Sequence, residues 1–178
     1  MMIKKMEKLN KVSKVLFYFT VLFFVIWLGG YISRQLIVYQ LFNANDLTLK
    51  SVFDAFNLVP TLYVISPILT INMVTFISFL AFFILFLLAS KVNLKKEGWL
   101  FISLMIVIVT APFEIYLLTY DYSVIAGVLA ENVDGFRLAA ILKERIVVLS
   151  SFSLVEIFCY FGIIFLYIFR PSTKKNEN

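Results

Sequence analysis

Four runs of about twenty apolar residues dominate this sequence, at about 15–32, 67–90, 98–119 and 146–169. A bilayer core about 30 Å thick is crossed by roughly 20 helical residues, so each run is long enough to span it. None alternates apolar and polar residues in the manner of a barrel strand. The first run, VLFYFTVLFFVIWLGGYI, has a lysine-rich flank like a secretion signal. Its apolar stretch exceeds the usual length of about 7–15 residues and no A-x-A site follows, so it is expected to remain as a span. The expected fold class is all-α: a polytopic membrane protein, one domain over residues 1–178, built as a four-transmembrane-helix bundle with short outer amphipathic helices. Residues 1–14 form a basic tail before the first span, and 170–178 a second tail after the last.

Composition agrees with the runs. The chain is 62% hydrophobic and 15% charged, against about 45–50% and about 25% in a soluble domain. A single core of this size has no room for so much apolar surface. The same numbers exclude a disordered chain and a disulfide-stapled secreted domain. The absence of His removes bis-His haem, His-bound zinc or copper, and an imidazole base. Cys159 is the lone cysteine, so no internal disulfide and no Cys-x-x-Cys pair exists. No glycine-rich phosphate loop and no G-x-S-x-G elbow occurs. No cofactor, no metal and no catalytic residue is therefore expected.

The charges orient the spans. Lys4, Lys5, Lys8, Lys11, Lys14, Lys91, Lys95, Lys96, Arg170, Lys174 and Lys175 account for eleven of the 16 basic residues and all fall on one side. The positive-inside rule puts that side, and both termini, in the cytoplasm, which corresponds to the cytoplasmic (inner) membrane. The tails suit anionic lipid; they are short and lack interleaved aromatics, so nucleic acid is not an expected partner.

The two longer connections then face outward. In the first, Leu49, Val52, Phe53 and Phe56 have helical spacing. Asp46 or Thr48 is placed to cap such a helix and Pro60 to stop it. In the second, Val124, Ile125, Val128 and Leu129 form a similar stripe. Asp134-Gly135 marks a turn, and Phe136, Ala139, Ile141 and Leu142 fit an extension of the fourth helix.

Two acids lie inside spans. At 1.5 Å per residue, Glu114 is about 9 Å and Glu156 about 15 Å from the outer end of its run. Ionisable groups at such depth are costly and point to function by default. Ser103, Thr110, Glu114 and Asp121 fall within roughly 40° on one helical face. Ser153, Glu156 and Tyr160 share another face, with Ser150 at its edge. Both stripes are expected to face the bundle interior. Asn72 is placed near the level of Glu114, and Arg34 to reach inward toward it. Arg145 reads as an outer cap on the fourth span, and no Lys or Arg is level with Glu156. Pro112 is expected to kink the third span beside Glu114. Gly29 and Ser33 form a small-xxx-small spacing that permits close helix packing.

Three functions fit these features. The leading one is a non-catalytic membrane subunit that packs against itself or a larger transporter or envelope complex, with a homo- or hetero-oligomeric partner in the bilayer. The alternative is a small carrier moving protons or cations through Glu114 and Glu156. The third is a membrane enzyme acting on lipid with an acid and Ser or Tyr hydroxyls.

Overall fold

The computed structural model describes residues 10–90, 92, 94, 97–149 and 151–169. The tail lysines before residue 10, Lys91, Lys95, Lys96, Ser150 and residues 170–178 lie outside the described residues. Five helices make up the described chain: α1 Lys11–Tyr39, α2 Leu58–Ser90, α3 Gly98–Val128, α4 Gly135–Val148 and α5 Phe152–Phe169. Four of them, α1, α2, α3 and α5, are long and apolar enough to cross a membrane. The fold is thus all-helical and fits a multi-pass membrane protein.

The helices outrun the apolar runs that announce them. α1 starts at Lys11, capped by the Asn10 side chain, which accepts from the Ser13 amide at 2.6 Å. It ends at Tyr39, a turn and more past the first run. α2 begins nine residues before the run at 67–90 and carries Pro67 inside it. α3 continues nine residues past 119, because Asp121, Val124 and Val128 on its far end are buried. Val124, Ile125 and Val128 thus belong to the third helix rather than to a separate amphipathic one, and Leu129 is its C-cap.

The segment at 49–56 forms no helix. Its side chains satisfy its backbone locally, which competes with a helical ladder. The Asp54 carboxylate accepts from the Phe56 and Asn57 amides at 2.9 Å, and the Asn57 amide nitrogen donates to the Val52 carbonyl at 2.8 Å. Phe56 is left 89% exposed, so the expected apolar stripe is not assembled. Asp46 accepts from the Thr48 amide and hydroxyl and pins a tight turn instead of capping a helix. Those bonds hold its carboxyl below the usual carboxylate range. Pro60 does not stop a helix; it sits in the first turn of α2, where a missing N–H matters least.

The fourth passage is a broken helix. Asp134 caps α4 by accepting from the Arg137 amide at 3.1 Å, so Asp134-Gly135 is a helix start. Leu149 leaves the helical region (φ −135°, ψ 53°), and a new helix opens at Phe152. The run at 146–169 therefore straddles a joint: its first three residues end α4 and its residues from Phe152 on form α5. Leu138, Ala139, Leu142, Arg145 and Ile146 make the buried face of α4, which runs back along α3 with Leu138 against Gly127.

Two apolar cores result. One fills the bundle toward the termini, around Phe24, Trp27, Tyr31, Phe76, Phe79, Val107, Leu118 and Tyr160. Trp27 and Tyr160 meet there edge to face, ring centres 4.6 Å apart. The other lies at the loop end, where Val38, Leu41, Phe42, Leu58, Leu62, Leu69, Val124, Val128, Leu138 and Leu142 pack together. A short bridge between Phe42 and Leu49 folds the connection at 40–57 onto it.

Candidate functional site

Between the two cores lies a layer of buried polar side chains. Its position can be followed along each helix. On α1, Arg34 falls between Tyr31 of one core and Val38 of the other. On α2, Asn72 falls between Leu69 and Phe76, and on α3 Asp121 falls between Leu118 and Val124. Burying charge between apolar layers is expensive unless each charge is paired.

Most of it is. Asp121 bridges two guanidiniums: Arg145 Nε donates to Oδ2 at 3.0 Å, and Arg34 Nη2 lies 3.3 Å from Oδ1. Arg145 Nη2 also donates to Glu114 Oε1 at 3.2 Å. All four side chains are 1% exposed or less. Two cations and two anions from α1, α3 and α4 thus form a neutral quartet.

Glu156 stands beside this quartet as a fifth ionisable group. It is 0% exposed. Its side chain neighbours Glu114 and the Tyr31 hydroxyl, and Ser153 lies next to the same hydroxyl. Neither Glu156 oxygen is hydrogen-bonded among the described residues, nor are Glu114 Oε2, the Tyr31 hydroxyl or the Asn72 amide group. No described Lys or Arg forms an ion pair with Glu156. One helical turn further along α5, Tyr160 shares a 2.9 Å hydrogen bond with Thr110 of α3.

The sequence-derived residues therefore divide. Thr110, Glu114, Asp121 and Ser103 on the α3 stripe are all buried, as are Glu156 and Tyr160 on α5, while Ser153 is half-buried. Arg34 does turn inward, but its ion pair is with Asp121, and it is Arg145 that holds Glu114. Arg145 is no outer cap: it is 2% exposed and central to the layer. Gly29 and Ser33 face away from the bundle; no atom lies within 4 Å of where a Gly29 Cβ would stand, and Ser33 is exposed. The close approach falls one residue on, at Gly30, whose missing side chain makes room for the Asn72 amide. Pro112 lies on the exposed side of α3, which continues through it as one helix.

Arg145 was discoverable from sequence. It stands at helical spacing from Leu138 and Leu142, so a cation sits on an apolar stripe where lipid or solvent exposure would place a polar face.

No protein-family model, curated protein or solved structure matches the chain. Among the described residues, no group of three or more His, Cys, Asp or Glu side chains is arranged to hold a metal ion.

Proposed function

We propose that the chain is a small, non-catalytic carrier of the cytoplasmic membrane, with both termini in the cytoplasm, that exchanges a proton or small cation at Glu156. The observation that carries this reading is charge balance. Arg34, Arg145, Asp121 and Glu114 compensate one another, and Glu156 is left buried beside them with both oxygens unpartnered. An uncompensated carboxylate in an apolar site takes up a positive charge, either a proton or a cation. The apolar cores above and below the layer fit an occluded state, closed toward both faces of the membrane. The α4–α5 joint adjoins the layer, as broken helices adjoin ion sites in transporters.

The test is transport. Purified protein in liposomes, under a pH gradient and separately under Na⁺ and K⁺ gradients, is expected to pass one of these ions faster than protein-free vesicles. Glu156→Gln should remove that flux while preserving the helical spectrum. Equal flux in wild type and Glu156→Gln, or none above empty vesicles, overturns the proposal.

A second reading rests on α5. Only 11% of its apolar stretch is buried, against 28%, 33% and 39% in α1, α2 and α3. A subunit that packs this helix against a second copy or a larger membrane complex fits that difference. Crosslinking in native membranes tests it; an exclusively monomeric chain argues against it.

A further inference from the structure

Glu114 and Glu156 face each other with more acceptors than donors. Glu114 spends Oε1 on Arg145 and keeps Oε2 unpartnered; both Glu156 oxygens are unpartnered too. The two side chains are neighbours across α3 and α5. Two adjacent carboxylates in a buried site do not both stay ionised. The titratable and charged groups around them are Tyr31 and Arg34 from α1, Asp121 from α3, Arg145 from α4 and Tyr160 from α5 itself. The two arginines are already matched by Asp121 and Glu114, so one more positive charge neutralises the whole cluster.

We infer that the species taken up is a single proton, held between Glu156 and Glu114 Oε2 as a carboxyl–carboxylate pair. This inference deepens the carrier reading and rests on it for its role in transport. One hydrogen bond satisfies two of the unpartnered oxygens at once, and the remaining Glu156 oxygen is left for the Tyr31 hydroxyl to donate to. Transfer within the pair breaks the O–H bond on Glu156 and forms one on Glu114 Oε2; the negative charge moves the opposite way. Arg145, fixed to Glu114 Oε1, acts as a positioning residue: it stabilises the charge when Glu114 carries it. A bare sodium ion fits less well, since it requires several oxygen ligands while two guanidiniums occupy the same layer.

Infrared spectroscopy of the full chain in lipid at neutral pH reads the proton directly. The expected result is the carbonyl stretch of one protonated carboxylic acid, shifting on transfer to D₂O, absent in Glu156→Gln and displaced in Glu156→Asp, which keeps an acid. Absence of that band in wild type, or its survival unchanged in Glu156→Gln, overturns the inference. The wild-type D₂O shift stands alone should a variant fail to fold. Ion flux separates the two proposals. Sodium-driven flux without the band sinks the shared proton and leaves the carrier reading standing. The band without any flux sinks the carrier reading and leaves a shared proton that locks α3 to α5.

Discussion

Replacing Asp121 with Asn should be among the most damaging single changes in the chain. Asp121 is 0% exposed and faces Arg34 at 3.3 Å and Arg145 at 3.0 Å. After the change Arg145 keeps Glu114, but Arg34 keeps no ion pair among the described residues. Breaking a buried pair from one side costs about 3–5 kcal/mol, because the remaining charge is stranded. That exceeds the roughly 0.6 kcal/mol average for neutral interhelical hydrogen bonds in membranes. It corresponds to roughly two to three and a half powers of ten in the unfolding equilibrium. The assay is reversible unfolding in mixed lipid–detergent micelles, followed by the fluorescence of Trp27, which is fully buried two turns from Arg34. Arg34→Gln in the Asp121→Asn background removes the stranded charge. The double variant should recover about 1–3 kcal/mol relative to the sum of the single effects. A loss under about 0.5 kcal/mol for Asp121→Asn, the level expected of an ordinary surface change, would refute the reasoning. Strict additivity in the double variant would refute it equally.

Other perturbations follow from the same geometry. Gly29→Ala meets open space and should stabilise α1 by about 0.5–1 kcal/mol through helix propensity; Gly30→Ala meets the Asn72 side chain and should gain this only in an Asn72→Ala background, as thermal unfolding of the four proteins will read. Tyr160→Phe removes the bond to Thr110 and should cost about 0.6 kcal/mol in unfolding measurements. Thr48→Ala removes the hydroxyl's bond to Asp46 and keeps the stronger one from the backbone amide, so NMR titration should find the lowered Asp46 pKa moved only part of the way up toward the ordinary value. The turn's contribution to stability is present above the unfolded pKa of Asp46 and is lost as pH falls through the lower folded one; in Thr48→Ala that dependence should shrink.

Much of the membrane layout was legible because lipid leaves few options. Apolar length identified the four spanning helices, and the spacing of Ser103, Thr110, Glu114 and Asp121 identified the face that turns inward. The acids at Glu114 and Glu156 were visible because depth makes a carboxyl conspicuous. Their partners were harder. Arg145 borders an apolar run, so flank position argues for solvent; its real place follows from its helical spacing to Leu138 and Leu142 on α4, a helix that ends at Val148 with no proline or glycine to mark the end. Asp121 lies past the end of an apolar run, yet the loop-end core around Val124 and Leu142 covers it. Such a second core depends on contacts among four helices and a connection, which periodicity within one segment does not encode. The misread stretch at 49–56 is different: its helical spacing was real, but Asp54 and Asn57 capture the backbone first.

Everything turns on whether Glu156 is an occluded acid that takes up a proton and passes it on. The most direct measurement is acidification of the lumen of vesicles holding equal amounts of wild-type or Glu156→Gln protein, after an external acid pulse with a potassium ionophore to clamp the voltage. Rapid acidification with the wild type and the slow leak of empty vesicles with the variant is the outcome expected. Indistinguishable traces from the two proteins would contradict it.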